Sequence, residues 1–431
     1  MFRTHLSSEI SKDIAGKEVV VAGWVHVKRD LGGKKFLIIR DKDGFIQVVI
    51  DKKRQPALAE LFYDLTPESA VSVVGTVKLE SRAPSGYEII PKEIRIHNKA
   101  KAPLPLDVSG KVPADLDTRL RERVLDLRRD VSRAYFKIVS AALKAIREEL
   151  YRNGFIEIFT PKVIATATEG GAALFPVAYF GKEAYLAQSP QLYKELMAAT
   201  FERVFEIAPA WRAEESDTPY HLAEFISIDI EMAFANYHTV MNILENVVKK
   251  AITVVKEECG KELKTIGYEP PDPKLPLKRF RYVDVVETLR SEGLSIDVGD
   301  DIGTPELRIF SKVASEELYF IIDWPSKAKP FYTMPKRGEE EFTESFDLNW
   351  RFLELASGST RVHIKDLLVK RLREKGLNPN SFEYFIKWFD YGMPPHAGWG
   401  MGLGRLALML TGARNIREVT LFPRDKKRLT P

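Results

Sequence analysis

The chain has 431 residues, 45% of them apolar and 29% charged, a length at which one hydrophobic core no longer grows and two or more domains are expected. Its 65 basic and 61 acidic residues leave a formal charge of +4, which does not by itself indicate nucleic-acid binding but is compatible with a local basic face. The lone cysteine, Cys259, excludes a disulfide framework, a paired-thiol redox motif and a cysteine zinc site within one chain; it favours a reducing compartment and is assigned no role.

The start, Met1-Phe-Arg-Thr-His, lacks the basic segment and apolar run of a secretory signal. No apolar run of about 18 residues occurs, so no membrane span is expected and the cytoplasm is the expected location. From Lys17 to about His97 the pattern is dominated by period-two alternation and β-branched residues, in Val19-Val-Val-Ala-Gly-Trp-Val, Phe36-Leu-Ile-Ile, Phe45-Ile-Gln-Val-Val-Ile, Ala70-Val-Ser-Val-Val and Tyr87-Glu-Ile-Ile. Glycine-bearing turns separate the first three, and one helix interrupts near 56–63. Such a run of short strands predicts a small closed barrel of the OB type, whose open face commonly holds single-stranded nucleic acid.

Prolines and lysines between Lys99 and Pro113 predict a stiff connector. The first domain is therefore placed at 1–103, a linker or hinge at 104–131, and a second domain at 132–431. The arginine-rich stretch Asp115–Arg129 reads as a solvated helix face, with a nucleic-acid contact as the alternative. Apolar spacing predicts a helix over Ser132–Asn153. Strands follow at Phe155-Ile-Glu-Ile-Phe, Val204–Ala208, Phe225–Phe234, Tyr319–Asp323 and Asn349–Leu355, with helices near Val240–Glu258, His363–Lys375 and Gly402–Leu410. Strands adjacent in sequence without regular βα alternation predict an α+β domain on a mostly antiparallel sheet with flanking helices.

Two blocks carry the chemistry. Arg212-Ala-Glu-Glu-Ser-Asp-Thr-Pro-Tyr-His221-Leu-Ala-Glu and Gly398-Trp-Gly-Met-Gly-Leu-Gly404-Arg405 each set an arginine in a fixed polar context, and two converging guanidinium groups suit a triphosphate. The glycines at 398, 400, 402 and 404 match neither the dinucleotide fingerprint nor a Walker loop. A glycine-rich strand can mean only close backbone packing, but Arg405 beyond it points to a cleft in which an adenine ring could be seated.

With Phe155-Ile-Glu-Ile-Phe-Thr-Pro161 read beside these blocks, the chain resembles a class II aminoacyl-tRNA synthetase of the aspartate, asparagine and lysine subgroup, and within it the archaeal-type aspartyl members. The likeness covers nearly the whole chain, the barrel resembling the subgroup's anticodon-binding domain. It implies that Pro161 belongs to a homodimer interface and that the substrates are ATP, L-aspartate and tRNA. It implies that Arg212 holds the ATP α-phosphate and the amino-acid carboxylate, that Arg405 meets the γ-phosphate, and that Glu214 meets the adenine amino group. His221, with Leu222 beside it, would lie in the ATP site near the terminal phosphates. Glu354 and Ser357 would offer hard oxygens to Mg2+. Lys194 in Gln188-Ser189-Pro-Gln191-Leu-Tyr-Lys194, and Arg361 in Ser359-Thr-Arg361-Val-His363, would place two cations in one pocket. Such a pair suits a side-chain carboxylate over an amide. Glu169, Gln191 and Asp229 would receive the α-ammonium, with Ser189 also on the aspartate site. One departure is Tyr220, where the family's loop often has an arginine.

In the barrel, Phe36 and Gln47 match positions at which the family stacks and hydrogen-bonds the central anticodon uridine, although Phe36 alone would be placed in the barrel core. Arg29 is a further contact. Family members restricted to aspartate tRNA tend to carry a tryptophan and a lysine where this chain has His26 and Pro84. The resemblance therefore implies relaxed charging of both tRNA(Asp) and tRNA(Asn), followed by an amidotransferase. A restricted aspartyl enzyme, an asparaginyl enzyme and a non-catalytic paralogue are the competing readings.

Overall fold

The computed structural model describes residues 1–165, 174–213 and 217–430. The chain divides into two compact units, Met1–Pro113 and Ala114–Pro431, each described separately.

The first unit is a closed five-stranded barrel built from Glu18–Leu31, Lys34–Arg40, Phe45–Asp51, Ala70–Leu79 and Tyr87–Asn98. Alternation sorts its faces: Leu37, Ile39, Ile46, Val48 and Ile50 fill the interior. Phe36 pairs with Val49 and Ile38 with Gln47, so these four stand together on the opposite, outward side. The half-buried Phe36 is therefore not barrel core, because its immediate neighbour Leu37 takes that place. The helix Pro56–Asp64 opens with a proline in its first turn, where no backbone N–H is needed.

The second unit is organised on an eight-stranded sheet in the order Lys278–Arg281, Leu318–Ile322, Ser345–Trp350, Leu353–Thr360, His396–Gly402, Glu224–Ala233, Arg203–Trp211 and Ile156–Glu157. Only the two outermost pairings are parallel. The helices Asp130–Arg152 and Tyr237–Glu258 cover one face with apolar stripes (Ile138, Ala142, Ile146; Val240, Leu244, Val248, Ile252), the i, i+4, i+8 spacing that one helix face requires. Cys259 ends the second of these helices and is 5% exposed in the same core. Burial, with Glu262 and Glu258 nearby, pushes its thiol pKa up, the opposite of an activated nucleophile. Among the described residues no helix is long and apolar enough to cross a membrane.

The arginine-rich stretch departs from its sequence reading at Arg119 and Arg123, while Asp117 and Arg121 are exposed. Asp115 caps the helix Leu116–Arg121. Arg123, 1% exposed, donates to Asp126 at 2.6 Å and to the carbonyls of Glu418, Thr420 and Leu421 at 3.0, 2.6 and 2.8 Å. Arg119 joins Asp126 and Glu418 at 2.9 and 2.8 Å. These two side chains are neither solvated nor offered to a nucleic acid; they fasten the start of the second unit to its C-terminal segment. The division between units accordingly falls after Pro113, and the segment expected to be a hinge is largely part of the second unit.

Candidate active site

A cleft of about 290 Å3 lies over the central strands of the second unit. Arg212 follows the last residue of Arg203–Trp211, and its backbone N–H donates to Ala223 at 2.9 Å, which fixes the chain beyond the strand. Its guanidinium carbon stands 5.6 Å from the Phe225 ring centroid. Arg405 sits in the first turn of the helix Leu403–Thr411. It donates to the Glu354 carbonyl at 2.8 Å and to His221 Nε2 at 3.1 Å. His221 is therefore an acceptor at Nε2 and donates from Nδ1 to Thr218 Oγ1, 2.5 Å away. Two guanidinium groups from segments far apart in sequence thus border one cleft, and a histidine holds the second in place.

The glycines of His396–Gly402 have a definite role. Ser227, Asp229 and Glu231 alternate along the neighbouring strand and pair with Gly402, Gly400 and Gly398. A Cβ on Gly400 would stand 3.0 Å from Asp229 Oδ1, and one on Gly398 would collide with the Glu231 carboxylate and the Ile230 carbonyl. The missing side chains make room for two buried carboxylates.

Those carboxylates hold the two cations. The short helix Gln191–Phe201 buries Gln191, Lys194 and Glu195 on one side, as positions three and four apart must. Lys194 Nζ lies 2.9 Å from Asp229 Oδ1, 3.1 Å from the Trp399 carbonyl and 3.6 Å from Glu231 Oε2. Arg361 reaches both Glu231 oxygens at 3.0 and 3.3 Å and Ser359 Oγ at 2.6 Å. Burial opposes the Arg361 charge, but Glu231 and Glu195 outweigh it and raise its pKa. The lysine is not an uncompensated charge awaiting a partner, as the sequence argument supposed, since Asp229 and Glu231 already balance it. Asp229, expected to receive an ammonium, is engaged by Lys194 and by the Ser227 hydroxyl.

Four residues at this site escaped the sequence reading. Glu231 repeats the Asp229 position one pleat further on, and Asp347 pairs across the sheet with Ser357. Lys329 Nζ lies 2.8 and 2.9 Å from the two Asp347 oxygens and 3.5 Å from Ser357 Oγ. Burial raises the Asp347 pKa to about 6, Lys329 working against it and Glu354 adding to it. Glu231 could have been found from the strand alternation that carries Asp229, and Glu195 from its i, i+4 spacing to Gln191; Asp347 depends on its partner across the sheet, and Lys329 carries no local signal. Tyr220, the departure noted above, packs edge-on to Phe352 with ring centroids 5.7 Å apart. Its hydroxyl accepts from Arg308 at 3.3 Å, so a guanidinium reaches the rim of the cleft from another segment.

Of the expected site residues, Ser189, Gln191, Arg212, His221, Leu222, Asp229, Glu354, Ser357, Arg361 and Arg405 line this one cleft, and Lys194 lies buried at its edge. Glu169 and Glu214 lie outside the described residues. Pro161 is exposed on another part of the unit, beside Phe159 (83% exposed). In the barrel, Arg29 pairs with Phe36 and is exposed, as is Pro84 in the turn before Tyr87. Gln47 Nε2 is 3.4 Å from Glu88 Oε2. His26 occupies a bulge in its strand. Its Nδ1 is 3.3 Å from Arg40 Nη1, and Arg40 is bound bidentately to the buried Glu68.

Residues 115–426 match the family described as class II tRNA synthetases (D, K and N), and residues 19–96 match the OB-fold nucleic acid binding domain. The chain is 62% identical over 431 residues to the aspartate–tRNA(Asp/Asn) ligase of Sulfurisphaera tokodaii, and 58% identical over 431 residues to that of Saccharolobus solfataricus, all of each chain being covered. An aspartate–tRNA(Asp) ligase of Thermococcus kodakarensis is 50% identical, again over the full length of both. Among solved structures, asparaginyl-tRNA synthetase from Pyrococcus horikoshii complexed with asparaginyl-adenylate superposes with a TM-score of 0.94 at 31% identity, covering 100% of both chains.

Proposed function

Because the chain belongs to the class II tRNA synthetases of the D, K and N group, we propose that it attaches L-aspartate to tRNA at the expense of ATP and charges both tRNA(Asp) and tRNA(Asn). The observation that carries the chemistry is the cleft bordered by Arg212 and Arg405 with the Lys194 and Arg361 cluster beside it.

In the first step an oxygen of the aspartate α-carboxylate attacks the ATP α-phosphorus and pyrophosphate leaves. The nucleophile is already an anion, so positioning and charge neutralisation suffice without a protein base. Arg212 is assigned to the carboxylate and α-phosphate, and Arg405, held by His221, to the departing end. Glu214 is assigned to the adenine amino group, and Glu169 and Gln191 to the α-ammonium. In the second step a terminal ribose hydroxyl of tRNA takes the acyl group and AMP leaves.

Asp347, Glu354 and Ser357 form a hard-oxygen set suited to Mg2+. That a cation fits there is supported by the Lys329 ammonium, which touches both Asp347 oxygens and approaches Ser357. Mg2+ bound to these residues would neutralise phosphate charge. The barrel is assigned to the anticodon through Phe36, Gln47 and Arg29, with His26 and Pro84 bearing on the third anticodon base. Stacking on Phe36 contributes about 1–3 kcal/mol with little base preference, so Gln47 supplies selectivity. The exposed apolar run Ile156, Phe159 and Val163 around Pro161 fits a homodimer surface. The enzyme would work in the cytoplasm, and an amidotransferase would convert Asp-tRNA(Asn) onward.

Amino-acid-dependent pyrophosphate exchange with aspartate, asparagine and lysine tests this reading. Aspartate alone is expected to support exchange; equal rates with asparagine would overturn the substrate assignment.

A further inference from the structure

Beneath the pocket lies a set of buried groups that the proposed mechanism does not use. His396 is fully buried at the start of His396–Gly402. Its Nδ1 is 2.8 Å from the Pro394 carbonyl and its Nε2 is 3.3 Å from Glu195 Oε2. Both ring nitrogens face acceptors, and an imidazole can donate from both only when it carries two protons. Glu195, also fully buried, uses its other oxygen to accept from Gln191 Nε2 at 2.6 Å. Gln191 and Glu195 are one helical turn apart, so this contact is set by the helix itself.

The wider cluster agrees with a charged histidine. Among the described residues, Asp229, Glu231 and Glu195 are three buried carboxylates, and Lys194 and Arg361 are basic side chains paired with them. An imidazolium brings the set to neutrality, and a buried carboxylate without a compensating charge is costly. Burial alone would lower the His396 pKa, but the Glu195 hydrogen bond and the Glu195 and Glu231 charges outweigh it and raise the value. His363 nearby moves the other way, lowered by burial and by His396.

A primary amide has one acceptor oxygen. With its nitrogen committed to Glu195, Gln191 has that oxygen left for the cleft it lines. We propose that His396 is a positioning residue, which fixes the Glu195 carboxylate so that Glu195 in turn fixes the Gln191 amide with its oxygen toward the substrate's α-ammonium. This rests on the assignment of Gln191 to that ammonium. His396 touches no substrate; it acts through two side chains.

The test is the double variant Glu195→Met with His396→Leu, which removes one carboxylate and one imidazolium together. The net charge of the cluster is conserved and no buried charge is orphaned, so folding is expected to survive. In pyrophosphate exchange the KM for aspartate should rise about tenfold to a hundredfold, the scale of a hydrogen bond to a charged group. The KM for ATP should stay within about twofold. Succinate, which has both carboxylates of aspartate and no amine, should inhibit wild type and variant with the same constant. An aspartate KM that does not move, or one that moves together with the succinate constant, would overturn the relay. A wild-type enzyme without aspartate-dependent exchange would instead remove the reading on which the relay rests.

Discussion

Replacing Arg212 with alanine is expected to lower aspartate-dependent pyrophosphate exchange by about two to three orders of magnitude, the usual cost of removing a preorganised contact to transition-state charge. The α-phosphorus gains a fifth oxygen as the carboxylate attacks, and negative charge builds on oxygens that a guanidinium can meet with two parallel hydrogen bonds. Arg212 is held for this by its backbone bond to Ala223 and by the adjoining Phe225 ring. The loss should appear mainly in kcat, because the contact strengthens as charge develops. An unchanged rate would mean that the arginine is misassigned. Lysine at the same position should restore only part of the rate, since it offers a point charge in place of a planar fork.

Lys194→Met is expected to cost about 3–5 kcal/mol of stability, read as a shift in the urea unfolding midpoint, because removing one partner of a buried ion pair strands the other. Lys194 is 1% exposed, Asp229 3% and Glu231 0%. The methionine has nearly the same shape, so packing changes little and the loss reports the charge. The same variant should weaken aspartate binding, since of the two cations paired with Asp229 and Glu231 Arg361 alone would remain. A stability change below about 1 kcal/mol, the range of exposed ion pairs, would show that Asp229 and Glu231 do not depend on this lysine.

What the sequence disclosed and what it withheld follow a physical division. The barrel strands were visible because alternation is local: each residue's face is set by its immediate neighbours. The same alternation, applied more strictly, places Phe36 outward, since Leu37 and Ile39 fill the interior. The arginine blocks were legible because Arg212 and Arg405 lie in distinctive local contexts. Asp347 was missed because its meaning depends on pairing with Ser357 across the sheet. The glycines at 398 and 400 were read as backbone packing or room for a base, yet their purpose appears only when Glu231 and Asp229 come into register opposite them. His396 and Glu195 are some 200 residues apart, and composition offers no hint that they meet. Arg119 and Arg123 went astray for the related reason that charge-rich helices usually face water, whereas these find partners near the far end of the chain.

The charge pattern bears on amino-acid choice. Lys194 and Arg361 already answer Asp229 and Glu231, so the pocket does not hold a pair of uncompensated charges. This replaces the simpler picture of two waiting cations and leaves the choice of a carboxylate over an amide to the N–H donors of Lys194 and Arg361, which have no acceptor of their own to offer an amide nitrogen.

Relaxed tRNA choice can be measured by transfer of labelled aspartate onto two tRNA transcripts that differ only in ending their anticodons in C or U. Comparable kcat/KM for both is the predicted result. A preference of about a hundredfold for the C-ending transcript, roughly 2.7 kcal/mol of discrimination, would contradict it and return the chain to a ligase restricted to tRNA(Asp).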